Sequence, residues 1–287
     1  MKKLIQLLLV FAILLCLGGC KKQEDEGMVK TVKVKDMEMD YVKFGSGEEV
    51  FIILPGLSIK SVMESAEAVA GAYSDFAEKY TVYLFDRRKN APEGYTVKDM
   101  ADDTVKAMKK LKIKNADFFG ASQGGMMCLY IGLDYPQMVN KMILGSSFSR
   151  ENETSKAVMS NWIKLAEEKK LDQLVEEMIS AIYSQATLDA YHDYLVEANS
   201  NITDYELKQF LIMAKGCEGF DVYDRLPELK CDVLVLGSEE DKVLTGQASV
   251  EMAEKLGCQY YMYQGFGHGV YDEAPDYKER MLQFLNK

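Results

Sequence analysis

From Val29 to Lys35 and again from Met37 to Phe44, apolar and polar residues alternate around a short turn, and Val50 to Leu54 follows as an apolar run stopped by Pro55-Gly56. Period-two patterning turns one face of a segment towards a core, so a hairpin feeding a central strand is expected. Beyond it two periods take turns. Helical spacing occupies the regions near Ser61 to Lys79, Val97 to Leu111 and Gln123 to Tyr135, and short apolar runs fill Thr81 to Phe85, Ala116 to Phe119 and Lys141 to Leu144. Strands that alternate with helices must be joined by crossovers, which builds a parallel sheet.

Between Arg150 and Arg225 the strand pattern stops. Amphipathic helical segments such as Lys156 to Lys169, Leu171 to Ser184 and Asp204 to Lys215 replace it. The sheet pattern then returns with Asp232 to Leu236, a helix near Gln247 to Leu256, a strand over Gln259 to Tyr263 and a last helix near Pro275 to Leu285. The expected fold class is therefore α/β: a mostly parallel central sheet flanked by helices, with a helical cap inserted at 150–225 into a core made of 28–149 and 226–287. At 287 residues the chain has room for one large α/β domain with such an insertion.

The first twenty residues read differently. Lys2 and Lys3 precede an apolar run from Leu4 to Leu17, the layout of a secretory signal, which falls short of the ~20 residues of a membrane span. It ends in Leu17-Gly18-Gly19-Cys20, which resembles a bacterial lipoprotein lipobox, so Cys20 is the expected acylated first residue of the mature chain. An ordinary secreted protein cut nearby is the other reading. Lys21 to Gly27 is polar and charged and reads as a tether. The expected location is outside the cell, lipid-anchored to the outer face of a bacterial membrane.

Charge narrows the partners. The formal charge of −11 becomes −13 once residues 1–19, which hold two lysines and no acids, are removed. Nucleic acid is then an unfavoured partner, and anionic headgroups would repel the domain, so attachment must rest on the lipid at Cys20. Cys128, Cys217, Cys231 and Cys258 are widely spaced without a CxxC pair, which disfavours zinc. Their disulfide state stays open, and no cofactor or metal is expected.

Gly120-Ala121-Ser122-Gln123-Gly124 sets a serine inside Gly-x-Ser-x-Gly, between the run Ala116 to Phe119 and the helical stretch Met126 to Leu133. The bare pattern is common by chance. Its strand-turn-helix setting is what a nucleophile elbow needs, so Ser122 is the candidate nucleophile, and side chains at Gly120, Gly124 or Gly125 would collide with neighbouring backbone. A serine hydroxyl needs a base, usually a histidine held by a carboxylate. The chain has two histidines. His268 follows the last expected strand in Gly265-Phe266-Gly267-His268-Gly269, whereas His192 sits in the insertion between Tyr191 and Tyr194. His268 is the better base. Asp241 in Gly237-Ser238-Glu239-Glu240-Asp241-Lys242-Val243 is the preferred acid, because Val243 and Leu244 would anchor it, with Glu239 and Glu240 as alternatives. Oxyanion donors are expected from the backbone N–H groups of Gln123 and Leu57.

Together these motifs resemble the α/β-hydrolase superfamily, from about Val29 to Lys287. The order Ser122, Asp241, His268 is the family's order. Two departures stand out: Pro55 replaces the histidine that commonly precedes Gly56, and Asp86-Arg87-Arg88 departs from the usual Asp-x-Arg-Gly and reads as structural. The resemblance implies a serine hydrolase. Relatives that use aspartate as nucleophile, the dehalogenases and epoxide hydrolases, do not fit Ser122, and no dinucleotide fingerprint follows a strand.

The insertion is rich in large apolar side chains, among them Met159, Trp162, Ile163, Met178, Ile179, Ile182, Tyr183, Tyr191, Tyr194, Leu195, Phe210 and Met213. Some pack the cap and a remainder should face the cleft. A small or medium uncharged carboxylic ester is the expected substrate; an amide or N-terminal peptide bond, or ligand binding without catalysis, are the alternatives. Cys20→Ser is expected to move the protein from the membrane to the soluble fraction on cell fractionation; continued membrane association would make the apolar run an uncleaved anchor.

Overall fold

The computed structural model describes residues 28–287. The expected signal, Cys20 and the tether lie outside the described residues. Eight strands, β1 (Val29–Val34), β2 (Met37–Phe44), β3 (Glu49–Leu54), β4 (Tyr80–Arg88), β5 (Ala116–Ala121), β6 (Val139–Gly145), β7 (Asp232–Ser238) and β8 (Gln259–Tyr263), form one sheet in the order β1-β2-β4-β3-β5-β6-β7-β8. The β1–β2 and β2–β4 pairs are antiparallel, and every pair from β4 to β8 is parallel. This is the hairpin and parallel sheet that the periodicity predicts.

The sheet is covered on both sides, and β3 shows how. Ile52 and Leu54 point into one apolar cluster, Phe51 and Ile53 into the other, as alternate side chains on a strand must. A strand buried on both faces reads as an apolar run, which is why β3 and β5 lack polar positions over most of their length. Helices α2 (Val97–Lys110), α3 (Gln123–Asp134) and α8 (Gly246–Leu256) supply the first cluster, while α1 (Ala66–Ala72), α9 (Val270–Glu273) and α10 (Tyr277–Leu285) supply the second.

Between β6 and β7 the chain leaves the sheet for α4 (Glu153–Glu167), α5 (Leu171–Ile182), α6 (Gln185–Ala198) and α7 (Asp204–Lys215). The outgoing and returning segments are zipped at their base: Arg150 bridges Asp221, Glu151 N–H donates to the Phe220 carbonyl at 3.1 Å, and Val222 N–H donates to the Ser149 carbonyl at 2.8 Å. Trp162, Leu174, Met178 and Phe210 are buried and join the first cluster, so the insertion packs as part of the core.

Three local readings change. The helix expected near 61–79 is broken into 3-10 turns at Val62–Ser65 and Ser74–Phe76 around the short α1. Gly71 weakens the helix, and Tyr73 and Phe76 turn onto Phe51, with ring centroids at 6.5 and 5.0 Å, instead of following a helical stripe. Strand β4 runs three residues past Phe85 because Arg88 still pairs with Met39 across a bulge. Helix α6 is a separate element, started by the Ser184 hydroxyl accepting from Thr187 N–H and holding no fully buried residue, so its pattern is nearly silent.

Phe51 is fully buried among Tyr73, Phe76 and Tyr80. Phe51→Ala is expected to cost about 3–5 kcal/mol in urea unfolding; a loss below about 1 kcal/mol would mean that the site collapses around the smaller residue.

Candidate active site

Ser122 stands between β5 and α3 with φ 51° and ψ −118°, a conformation a non-glycine residue avoids at a cost of about 1–3 kcal/mol. Its surroundings impose it. Ser122 N–H donates to the Gly145 carbonyl on β6 at 2.8 Å, and the Ser147 hydroxyl donates to the Ser122 carbonyl at 2.9 Å. Helix α3 can then begin hard against β3: a Cβ at Gly124 would lie 2.0 Å from the Leu54 carbonyl oxygen, and one at Gly120 2.4 Å from the Gly124 carbonyl oxygen. Those collisions are the ones the sequence predicts, and they leave glycine as the residue that fits.

The loop after β7 carries Asp241, and the loop after β8 carries His268. Both are buried. Asp241 Oδ1 accepts from the Val243 and Leu244 N–H groups at 2.8 and 2.9 Å, and Oδ2 lies 2.8 Å from His268 Nδ1. Burial pushes the Asp241 carboxyl up, but the attraction and hydrogen bond of His268 and the two backbone donors outweigh it and hold the group below its ordinary value. An ionised carboxylate only accepts, so Nδ1 donates and a neutral His268 keeps Nε2 as its bare, basic nitrogen. Glu239 instead faces Gln264, and Glu240 accepts from Gly265 N–H at 3.0 Å, both exposed. Of the three acids weighed from the sequence, only Asp241 meets the histidine. His192 lies exposed on α6 beside Glu176, at 2.8 Å, away from the cavity described next.

Ser122, His268, Leu57 and Gln123 line one cleft of about 590 Å³, counting the part open to solvent, within the range of small-molecule sites. Its walls are mainly apolar. Met159, Trp162 and Ile182 come from the insertion, Met126 and Phe148 from the core, and Val243 and Leu244 from the Asp241 loop. Of the insertion's large apolar side chains, Ile163, Met178, Ile179, Phe210 and Met213 are packed into the core, and Tyr191 and Tyr194 are exposed on α6. Sequence reading missed Glu151, Cys217 and Tyr271 on the lining. Tyr271 follows His268 by three residues on a four-residue helix too short to leave a period. Glu151 keeps one oxygen on Gly219 N–H at 2.9 Å.

The histidine loop is also moored to the insertion. Gly269 N–H donates to the Ile182 carbonyl at 2.7 Å, while Glu273 accepts from Gly267 N–H at 3.1 Å and from the Ser184 N–H and hydroxyl at 2.9 and 2.6 Å. Glu273 was not foreseen either, because a single glutamate after the histidine carries no pattern. Among the described residues no three His, Cys, Asp or Glu side chains are grouped to hold a metal ion, and no helix is long and apolar enough to cross a membrane.

The sequence matches the family described as alpha/beta hydrolase fold over residues 49–275. The chain belongs to the alpha/beta hydrolase family. Within it, the chain is similar to a protein named carbamate hydrolase RutD from Rhizobium rhizogenes, 25% identical over 219 residues that cover 73% of this chain and 84% of the relative. Two solved alpha/beta hydrolases share its fold. One is MGS-M2, from a deep-sea metagenome library, with a TM-score of 0.81, 20% identity and coverage of 90% of this chain and 98% of that one. The other is the enol-lactonase from Burkholderia xenovorans, with a TM-score of 0.79, 18% identity and coverage of 90% and 100%. This chain is thus a hydrolase by family.

With its carboxyl held below 3.8, Asp241 contributes stability that is in full force above that value and is lost as pH falls through the lowered pKa. The gap in urea stability between wild type and Asp241→Asn is therefore expected to be widest near neutral pH and to close as the pH drops below 3.8; a gap that widened on acidification would contradict the assignment.

Proposed function

We propose that this hydrolase cleaves a small or medium uncharged carboxylic ester through an acyl-enzyme on Ser122. The observation that carries the reading is the convergence of Ser122 and the His268–Asp241 pair on one mainly apolar cleft. His268 Nε2 takes the Ser122 proton as Oγ attacks the ester carbonyl. The oxyanion that forms is met by the N–H groups of Leu57 and Gln123. Collapse of the tetrahedral intermediate breaks the bond to the alcohol, which leaves with the proton from His268. Water, deprotonated by the same nitrogen, then releases the carboxylic acid and restores the serine. Asp241 holds the imidazole in the required tautomer throughout.

Apolar walls favour an uncharged acyl group, since a charge placed there would lose its hydration without a partner. Glu151 on the lining further disfavours an anionic one. A carbamate, the group in the name of the Rhizobium rhizogenes relative, would pass through the same tetrahedral step, so the linkage is decided by assay. The protein is further proposed to act outside the cell, tethered through acylated Cys20, on the strength of the apolar run and Leu17-Gly18-Gly19-Cys20.

The test pairs a fluorophosphonate probe with p-nitrophenyl esters of rising chain length. Labelling of the wild type and turnover with a chain-length optimum are expected, and Ser122→Ala is expected to abolish both while leaving the melting temperature little changed. Labelling that survives in Ser122→Ala would overturn the nucleophile, and absence of both labelling and turnover in the wild type would favour a ligand-binding protein on this fold.

A further inference from the structure

Arg87 reads as structural in the sequence, yet from the end of β4 it reaches Gly56 and Gln123, which line the cleft. Its Nη2 donates to the carbonyl oxygens of Pro55 at 2.5 Å and Gly56 at 3.0 Å, and Nε and Nη2 both donate to Gln123 Oε1, at 3.0 and 2.9 Å. Every one of these acceptors is neutral. Burial pulls the guanidinium pKa down, and the attraction of the neighbouring Asp86 charge only partly offsets it; a cation hydrogen-bonded to carbonyls in place of a carboxylate carries a desolvation cost that an ordinary ion-paired arginine offsets more fully. Its nearest acid in sequence, Asp86, is engaged with the Ser61 hydroxyl and with the Arg87 backbone N–H.

The acceptors are not arbitrary oxygens. The Gly56 carbonyl and the Leu57 N–H are two ends of one peptide group, which is planar and, like every peptide of the described residues, trans. In such a group the C=O and N–H point in opposite directions. A guanidinium that holds the Gly56 oxygen therefore turns the Leu57 N–H the opposite way, and Leu57 lines the cleft. Binding a cation at the oxygen also polarises the amide, which strengthens its N–H as a donor. The second arm fixes the other amide, because Gln123 is the first residue of α3 and its own N–H has no intrahelical acceptor. Its side chain is pinned between Arg87 and the insertion, donating through Nε2 to the Met213 carbonyl at 3.0 Å and the Cys217 sulfur at 3.1 Å.

We infer that Arg87 is a positioning residue that orients and polarises the Leu57 amide, and fixes that of Gln123, as oxyanion donors, with the Gln123 side chain locking the pair to the insertion. The inference rests on the serine hydrolase reading above. Arg88, one residue on, serves as the control: it faces the other way, to Asp36 and Asp103, and its loss would affect stability alone.

The experiment measures ester turnover by the full-length protein, well below each variant's own melting midpoint, with a boronic acid that adds to the serine as a tetrahedral anion. Arg87→Met is expected to lose about 10²-fold in kcat, the scale of a misplaced reacting group, with KM little changed and boronate affinity falling in parallel. Arg87→Lys should recover part of the loss, and Arg88→Met should leave kcat and boronate affinity at the wild-type level. If Arg87→Met does not fold, Gln123→Met, which removes the shared acceptor but keeps the backbone N–H, is expected to lower kcat and boronate affinity together. Unchanged kcat in the folded Arg87 or Gln123 variant, or an equal loss in Arg88→Met, would overturn the inference. A wild type that neither turns over esters nor binds the boronate would instead bring down the hydrolase reading itself.

Discussion

The tight approach of the first turn of α3 to the end of β3 is the constraint on which the site depends. A carbonyl oxygen of Leu54 lies where a Cβ of residue 124 would be, so the helix can start there only with glycine. Starting there forces Ser122 into a positive φ and lifts it clear of the sheet. Ser122, the Leu57 segment and the helix N-terminus then meet at one point. The strain of about 1–3 kcal/mol at Ser122 is offset by the hydrogen bonds to Gly145 and Ser147, each worth about 1 kcal/mol, and by the burial of β5 beneath it. Crowding, rather than any single strong bond, sets the position of Ser122.

The remaining groups arrive at the same edge because parallel strands all end there. Loops after β3, β5, β7 and β8 carry Leu57, Ser122, Asp241 and His268, and a crevice outside the carboxyl ends of such a sheet is where open α/β folds bind ligands. A loop alone would not hold His268 to hydrogen-bond accuracy. Asp241 does so from one side, itself fixed by two backbone donors. The insertion does so from the other, through Ile182, Ser184 and Glu273.

Much of this was legible in the chain. Period two marked the β1–β2 hairpin, and apolar runs marked the inner strands, because a strand covered on both faces has nowhere to place polar residues. The elbow was legible because its glycines answer to backbone contacts, which are local. Asp241 could be preferred over Glu239 and Glu240 through the apolar Val243 and Leu244 that bury it. What could not be read was anything set by meetings between distant segments. Arg87 touches residues about thirty positions away in both directions, Glu273 acts across the insertion, and Tyr271 enters the cleft from a helix of one turn. Such residues carry no period, and their roles follow from where the sheet and the insertion bring them.

The insertion is consequently not a lid laid loosely on a finished site. Its contacts with the core fall on the segments that line the cleft: α7 receives the Gln123 side chain, and the α5–α6 junction receives the His268 loop. Any movement of the insertion large enough to widen the cleft at those points would break hydrogen bonds that hold Gln123 and His268. For the buried Gln123 to Met213 bond, breaking it leaves a polar atom without a partner, a penalty of about 1–3 kcal/mol. Opening of the cleft and the placement of His268 and Gln123 are thereby linked through the same few bonds, and the segment that shapes the apolar wall also holds both side chains in place.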